Sequence, residues 1–252
     1  MEKFGNLLFT GLEGGSFLRL KDVDAEICTK GNTPNVQIIL EDGSHLVCDR
    51  TCGWVSQYDN EGNLVAKLGF GQIENVPVRC PSDIALGSNG FYFTDSVRTN
   101  GSVFYIEFDR TLKVISQNID YPNGIVCSPS IDCLFVAEIY SNRILKINLK
   151  ESGHYEVAIK IFATLQFNPN DRNMGTLPHG IALDSACRLW VAHYGMQAVH
   201  VLASSGDLLA SYDTGMRLTS NICFSVSDLI ITGGNGEPGP GMLTKIKIFT
   251  ES

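Results

Sequence analysis

The amino-acid sequence predicts an all-β fold, a six-bladed β-propeller, from three observations. One hairpin pattern recurs, in which a short polar residue near a proline leads into an apolar run, a turn and a second apolar run. Two further apolar runs follow most copies, so one unit holds four predicted strands in ~40–50 residues, the period of a propeller blade. No amphipathic helical pattern longer than about two turns interrupts the series. The complete copies begin at Thr33, Cys80, Tyr121, Leu177 and Thr219.

The predicted strands follow in the same order within each copy. The first strand is a short apolar run after the polar residue, as in DIAL and GIAL, and the second often has an aromatic residue at its centre, as in FYFTD and LWVAH. A third strand ends in a hydrophilic turn, as in WVSQYDNEGN, and a fourth apolar run often follows, as in LKVISQ. Each unit is therefore expected to be an antiparallel four-stranded sheet.

The first blade is expected to be incomplete at the N-terminus. The opening segment GNLLFTG is half a copy, and LLFTGLEGGSFLRL has the pattern of the second and third strands of a blade. The last apolar run, TKIKIFT, is expected to complete this blade and close the ring. Because all-β folds often reach this length as one unit, residues 1–252 are predicted to be a single propeller domain.

Composition narrows the classes of function and of partner. Apolar residues make up 44% of the chain and charged residues 18%, which argues against intrinsic disorder. The net charge of −8 and the absence of a basic stripe argue against a nucleic-acid partner. No run of ~18 apolar residues and no signal-peptide pattern is visible, so we expect a cytoplasmic protein without a membrane partner. A small-molecule substrate is the predicted partner, and the chain is expected to be a monomer or a homodimer.

The cysteines also agree with a cytoplasmic location. Eight are present and none forms a C-x-x-C pair, so buried cytosolic thiols are expected. Cys127 and Cys133 flank one predicted turn, where they either form a disulfide or pack as two small thiols.

Polar residues recur at the start of the predicted first strands. Because the first strand of each blade lines the central tunnel, these residues are predicted to converge at one mouth, together with the residues that end the second strands. Such a ring suits a metal or a small polar ligand. The alternative is that each residue only satisfies the backbone of its own turn. The first set is Asn35, Ser82, Asp83, Asn123, His179 and Asn221, and the second is Asp49, Asp95, Glu138 and His193.

The motifs CPSDIALGSNGFYFTD, YPNGIVCSPSIDCLFVAE and LPHGIALDSACRLWVAHYG resemble those of the SMP-30/gluconolactonase/luciferin-regenerating-enzyme-like family. The resemblance runs from Leu7 to about Gly234. It implies a six-bladed propeller with a divalent cation, usually calcium, at the tunnel mouth. In the family that metal polarises a lactone carbonyl or a P–O bond.

The family's site residues carry over only in part. Asn123 matches the metal-binding asparagine of the P-N-G motif, and Asp83 matches the aspartate of P-N-D, where Ser82 replaces the asparagine. His179 stands in place of the P-D-G aspartate. The glutamate of the E-G-P motif has no clear counterpart, and its strand is expected before Met1.

Because some of the family's metal ligands are replaced here, the sequence does not determine which metal, if any, is bound. Calcium gains from carboxylate ligands, whereas an imidazole with amide oxygens suits zinc better. His179 is therefore a metal ligand, a metal-free general base with a pKa near neutrality, or a residue that closes its turn. His193, at the end of the same hairpin, is either a second nitrogen ligand or a residue that orients His179.

The predicted function is hydrolysis of a small lactone or ester. The alternatives are a metal-free cyclase, isomerase or lyase that uses the same cavity, and a propeller that binds a ligand or protein without catalysis. The Gly/Pro-rich stretch 233–242 is predicted to be a connecting loop near the mouth. The predicted catalytic residues are His179 and Asp83, the metal ligands Asn123 and His179, and the substrate-binding residues Ser82, Asn35, Asn221, Glu138 and His193.

Overall fold

The structure is a computed structural model, and its regular secondary structure consists of β-strands joined by turns. The chain divides into two compact units, Met1–Ile119 and Asp120–Ser252, which are described separately. The described segments contain no helix with the length and hydrophobicity needed to cross a bilayer. The structure describes residues 7–11, 14–21, 24–30, 33–149, 158–167, 175–225, 228–237 and 239–248.

The first unit contains one three-stranded sheet, two four-stranded sheets and a two-stranded hairpin among its described residues. In each sheet the strands pair in chain order with antiparallel neighbours. The three-stranded sheet is β1 (Leu7–Gly11), β2 (Ser16–Lys21) and β3 (Asp24–Lys30). The next sheet is β4 (Pro34–Ile39), β5 (His45–Asp49), β6 (Trp54–Tyr58) and β7 (Leu64–Leu68). After the hairpin of β8 (Gln72–Ile73) and β9 (Val76–Pro77) come β10 (Pro81–Leu86), β11 (Gly90–Asp95), β12 (Gly101–Glu107) and β13 (Leu112–Ile119).

The second unit repeats the same meander, with two four-stranded sheets and one three-stranded sheet described. The first sheet is β14 (Pro122–Cys127), β15 (Cys133–Glu138), β16 (Arg143–Asn148) and β17 (Ile159–Thr164). The second is β18 (Leu177–Leu183), β19 (Leu189–Tyr194), β20 (Ala198–Leu202) and β21 (Leu208–Asp213). The third is β22 (Asn221–Ser225), β23 (Asp228–Gly234) and β24 (Gly241–Lys247).

The predicted all-β class is confirmed, and its sheets are propeller-like meanders. Four of the five complete copies have four strands, whereas the copy that begins at Thr219 has three described strands. The expectation that TKIKIFT pairs with the first blade is corrected. The part of this segment up to Lys247 lies in β24, which pairs with β23 from Gly234 to Asp228 and is the third described strand of the last sheet. The β8–β9 hairpin was not predicted, because its two-residue strands are too short to show a period.

Burial decreases from the middle strands to the fourth strands. All six residues of β11 and all six of β15 are buried, which explains why both segments read as continuous apolar runs. By contrast, the side chains of β21 are almost all exposed. Aromatic contacts lie within the sheets, where the Phe93 and Phe104 ring centroids are 5.1 Å apart. The core is therefore made by the faces that neighbouring sheets turn toward each other.

The predicted cysteine alternatives are resolved for the pair around the β14–β15 turn. Cys127 and Cys133 are both free thiols. Burial, with a smaller effect from Cys133, raises the pKa of the Cys127 thiol to about 11, so it is protonated at neutral pH. The two residues therefore pack as small apolar groups.

A recurring irregularity sets the position of the polar residues. The pairing register shifts just after the proline that opens a first strand, between Pro34 and Gln37 in β4 and between Pro81 and Ile84 in β10. The same shift follows Pro122 in β14 and Pro178 in β18. Proline has no N–H to donate, so it is confined to edges and bulges of sheets. The next residue lies inside the bulge, where its side chain is freed from the regular alternation.

Close packing between first strands in the second unit depends on glycine. A Cβ atom on Gly124 would lie 2.1 Å from the backbone oxygen of His179, and one on Gly180 would lie 2.0 Å from Asn221 Oδ1. Both distances are far below van der Waals contact. The approach of β14, β18 and β22 therefore requires residues without a side chain at these two positions.

We predict that Gly124→Ala destabilises the protein by about 1–3 kcal/mol, because the new methyl group meets rigid backbone. Gly241→Ala is the matched control, because a Cβ at Gly241 in β24 has no neighbour within 4 Å. The measurement is urea unfolding, and the control should stay within about 0.5 kcal/mol of the wild type. Equal midpoints for both variants would contradict the close approach of β14 and β18.

Candidate functional site

In the first unit, two predicted site residues are in direct contact. Asn35 Nδ2 donates a hydrogen bond of 3.0 Å to Ser82 Oγ, across the first strands β4 and β10. Thr10 extends this row, because its Oγ1 donates to the backbone oxygen of Asn35. Ser82 is only 1% exposed. The predicted neighbours therefore form a buried polar row, to which the structure adds Thr10.

Asp83 follows Ser82 in the same bulge and is also buried. Its Oδ1 accepts a hydrogen bond of 2.8 Å from the backbone N–H of Ile84, and its own N–H donates to Thr94 Oγ1 at 3.1 Å. One carboxylate oxygen thus accepts a hydrogen bond from a backbone N–H group at the bulge, where the regular strand pairing is interrupted. The predicted catalytic role of Asp83 stays a prediction.

In the second unit, Asn123 and His179 occupy matching positions. Each follows the proline of its first strand, and the Gly124 contact brings the two strands together at this level. The third strand of the row differs. Ile222 pairs with Ile231 in the same way as Ile181 pairs with Val191, so Ile222 and Ile181 are equivalent positions. His179 lies two residues before Ile181, and the residue two positions before Ile222 is Ser220, not Asn221.

Asn221 instead matches Asp83 in its local contacts. Its Oδ1 accepts a hydrogen bond of 2.8 Å from the N–H of Ile222, as Asp83 Oδ1 does from Ile84. The Oγ of Ser220 donates to the backbone oxygen of Thr232 at 3.0 Å. The described contacts of both residues thus include the backbone of their own sheet, and a contact with substrate stays a prediction for Asn221.

His179 is held by an aromatic partner that the sequence did not reveal. Its ring stacks on Tyr194, the last residue of β19, with ring centroids 5.6 Å apart and an interplanar angle of 26°. The carboxylate of Glu237 lies near the Tyr194 hydroxyl. Burial, and to a smaller extent this nearby carboxylate, raises the pKa of Tyr194 far above its usual range, so the phenol stays protonated. His179 thus stacks on a phenol that has a carboxylate in its vicinity.

Glu237 reaches Tyr194 from the predicted Gly/Pro-rich loop. The base of this loop is fixed, because the N–H of Arg217 donates to Asn235 Oδ1 at 2.9 Å and the N–H of Leu218 donates to the oxygen of Gly234 at 2.9 Å. Glu237 is exposed, while His179 and Tyr194 are half-buried. The loop therefore does more than connect two strands, since it supplies an acidic group near Tyr194.

The residues that end the second strands accept hydrogen bonds from backbone N–H groups. In the first unit, Asp49 Oδ1 accepts from the N–H of Thr33 at 3.3 Å, and Asp95 Oδ1 accepts from the N–H of Arg79 at 2.9 Å. In the second unit, Glu138 Oε1 accepts from the N–H of Asp120 at 2.9 Å. These carboxylates close the turn that enters each first strand.

Glu138 and His193, both predicted to bind substrate, are buried. Glu138 also forms an ion pair with Arg143. His193 Nε2 lies 2.9 Å from Asn142 Oδ1, and its ring meets the His200 ring edge-on at a centroid distance of 5.0 Å. These contacts give both residues partners inside the sheets. A role in substrate binding stays a prediction for each of them.

Burial makes the histidine pair neutral. Burial, and to a smaller extent the neighbouring His200, lowers the pKa of His193 to about 3, against a weaker opposing effect of the Thr176 backbone. Burial alone lowers the pKa of His200. His193 is therefore suited to holding the sheet together and not to exchanging protons near neutral pH.

The comparisons with known proteins decide the family. The model of the SMP-30/Gluconolactonase/LRE-like region matches residues 1–235. The chain belongs to this family. The resemblance identified from the sequence motifs is thereby confirmed.

Relatives in the SMP-30/gluconolactonase/LRE-like family agree with this assignment. Lactonase drp35 of Staphylococcus epidermidis is 29% identical over 219 residues, which make up 80% of this chain and 64% of the relative. The chain thus spans slightly less than two thirds of that protein.

Two solved structures share the fold. A gluconolactonase from Xanthomonas campestris superposes with a TM-score of 0.79 at 22% identity, over 96% of this chain and 82% of that chain. Regucalcin from Agrobacterium tumefaciens, a calcium-binding protein, gives a TM-score of 0.78 at 16% identity, over 97% of this chain and 86% of that chain.

The residues of this family member do not fit the calcium site that the resemblance implies. Calcium needs six to eight oxygen ligands and gains most from carboxylates. Among the described residues, no three His, Cys, Asp or Glu side chains are grouped so that they could hold a metal. His179, on the strand that packs beside Gly124, stands where the family has an aspartate. We therefore derive no step of the chemistry through calcium.

Sequence reasoning missed Tyr194, Glu237 and Asn142. Tyr194 directly follows the second-strand motif LWVAH, so its position beside the mouth residues was visible in the repeat. Glu237 and Asn142 gave no such signal, because each lies in a turn or loop whose path the repeat does not determine.

The buried histidines predict that stability depends on pH. In the unfolded chain each imidazole takes up a proton as the pH falls through its ordinary value of 6.5, whereas in the folded protein burial holds the pKa of His193 at about 3 and lowers the pKa of His200. Stability is thus full above this value and decreases below it, by up to about 1.4 kcal/mol per pH unit for each group. Urea unfolding between about pH 6.5 and 5, above the range where most carboxylates titrate, measures this slope.

His200→Leu is the matched variant for this prediction. It removes one of the two buried imidazoles, so the slope should fall by about half, as linkage requires for one group of two. A wild-type slope near zero over this range would show that both histidines take up protons in the folded state.

Proposed function

We propose that this member of the SMP-30/gluconolactonase/LRE-like family is a hydrolase of small lactones or esters. The observation that carries the proposal is the stacking of His179 on Tyr194, a phenol near the Glu237 carboxylate. The lactonase name of the relative and the gluconolactonase name of the structural neighbour support the reaction class. In our proposal the sheets form a six-bladed propeller and the substrate enters at its mouth.

His179 acts as the general base in the proposed reaction. A ring nitrogen takes a proton from water, and the water oxygen forms a bond with the carbonyl carbon of the lactone. The ring C–O bond then breaks, and the leaving alkoxide takes the proton back from the imidazolium. The product is a hydroxy acid, and the imidazole is regenerated. Asn123, in the matching position on β14, has an amide that donates to the carbonyl oxygen as negative charge develops there.

Tyr194 and Glu237 act as positioning residues in this proposal. The stacked phenol fixes the plane of the His179 ring. In the proposed site its hydroxyl donates to the nearby Glu237 carboxylate. A base that is held in place loses less entropy in the transition state. The contributions predicted for Asp83, Ser82 and Asn35 stay predictions.

The second candidate uses the same residues without hydrolysis. A general base beside a bound substrate also abstracts a proton from carbon, as an isomerase or lyase requires. The absence of the family's aspartate at position 179 favours this candidate, since an imidazole stands there in place of a metal-binding carboxylate. Product analysis distinguishes the two, because only hydrolysis incorporates an oxygen atom from labelled water.

We predict that His179→Ala lowers kcat/KM for a lactone substrate by about 100-fold or more, the usual contribution of a general base. Because the side chain is half-buried, we expect the free energy of unfolding to change by less than about 1 kcal/mol. Hydrolysis of δ-valerolactone and gluconolactone, corrected for the spontaneous rate, is the measurement. His45→Ala, on β5 in the other unit, is the control and should keep wild-type activity.

Tyr194→Phe separates positioning from catalysis. The variant retains the stacked ring but loses the hydrogen bond to Glu237, so kcat should fall by several-fold with KM little changed. Full activity in His179→Ala would remove His179 from the proposed mechanism, whatever the result for Tyr194.

Treatment with EDTA tests the calcium conclusion. Because the donor set does not fit calcium, the wild-type protein should keep its lactone hydrolysis and its melting temperature after EDTA treatment and after addition of millimolar calcium. A ligand that binds only the folded state stabilises it by about 2.7 kcal/mol at a hundredfold excess over its Kd, so a functional calcium site would be evident. Zinc and manganese are added in parallel, because an imidazole is a good ligand for both.

A further inference from the structure

A small cavity lies in the second unit at the outer strands, separate from the residues proposed for catalysis. Its volume is ≈ 100 Å³. Exposed residues form its rim, and leucines form much of its wall. The lining residues are Thr164, Leu165, Gln166, His200, Leu202, Gly206 and Leu208.

His200 is the unusual member of this lining. It is 6% exposed, and neither Nδ1 nor Nε2 has a hydrogen-bond partner among the described residues. A buried polar group without a partner costs about 1–3 kcal/mol, so such groups are rare. The neighbouring ring of His193 makes only an edge contact, since its Nε2 is directed to Asn142.

The chemistry of the wall defines what the cavity accepts. The imidazole of His200 is neutral, because burial disfavours its charged form. A neutral imidazole presents one nitrogen that accepts a hydrogen bond and one that donates. Around it, Leu165, Leu202 and Leu208 offer apolar surface without charge. An anion or a cation would lose its hydration here without gaining a partner of opposite charge.

We propose that this cavity is a binding site for small alcohols and phenols, whose hydroxyl bonds His200 and whose apolar body packs against the leucines. The hydroxyl supplies the partner that His200 lacks. The open rim at Thr164 and Gln166 gives access from solvent. The site does not depend on the proposed hydrolase activity, because its lining contains none of the residues assigned to that reaction.

Phenol and toluene are the matched probes, since they differ only in the presence of a hydroxyl or a methyl group. We expect phenol to bind the wild-type protein, and His200→Leu to weaken its binding by about two- to tenfold, the value of one neutral hydrogen bond. Toluene should bind His200→Leu at least as well as the wild type. Isothermal calorimetry or the ligand-induced thermal shift measures both affinities.

Leu209→Ala is the control variant, because Leu209 neighbours Leu208 on the exposed strand β21 but does not line the cavity. It should bind phenol like the wild type. Equal phenol affinity in the wild type and in His200→Leu, or no phenol binding at all, would overturn the proposal.

The ring nitrogens of His200 give a second readout that needs no variant. In the wild-type protein labelled with ¹⁵N-histidine, saturation with phenol should shift the His200 ring resonances and leave those of His45 unchanged. Unchanged His200 resonances would overturn the proposal even if His200→Leu fails to fold.

Discussion

The bulge after the opening proline is the constraint on which the candidate site depends. Proline cannot donate to the ladder, and the regular register shifts over the next residues of each first strand that has a proline at or near its start. The structure shows this shift after Pro34, Pro81, Pro122 and Pro178. The side chain that follows is therefore directed by the bulge and not by the pleat, which is how Asn123 and His179 reach matching positions.

The same bulge explains why the second strands end in charged residues. Where the ladder is interrupted, the backbone N–H groups that precede the proline need another acceptor. Asp49, Asp95 and Glu138 supply it, each in the position opposite the proline. In the β18–β19 hairpin an imidazole, His193, stands opposite Pro178 instead. In the sequence these carboxylates look like a second ring of ligands. In the structure they accept hydrogen bonds from the backbone of the turns.

The repeat predicted most of the fold because it records two local rules, apolar runs at strand positions and polar residues at bulges. It also predicted the contact of Asn35 with Ser82, since both follow a proline at the same place in the unit. It failed in the last sheet. Thr219 stands there in place of proline, yet Leu218 exchanges backbone hydrogen bonds with Gly234 while Asn221 pairs with Thr232, so the register shifts as in the other sheets. Ser220 therefore takes the place predicted for Asn221. Glu237 was not predictable, because a loop's path is set by anchors such as Asn235 that carry no period.

Replacement of the family's aspartate by His179 changes what this position needs from its surroundings. A carboxylate that binds calcium is oriented by the cation itself, whereas a neutral base must be oriented by the protein. In the proposed mechanism Tyr194 provides that orientation from the adjacent strand, because its ring stacks on His179. The scaffold is that of the family, but function depends on the site that it carries. The proposed mechanism thus uses a group oriented by the protein at a position where the family has a group oriented by a metal.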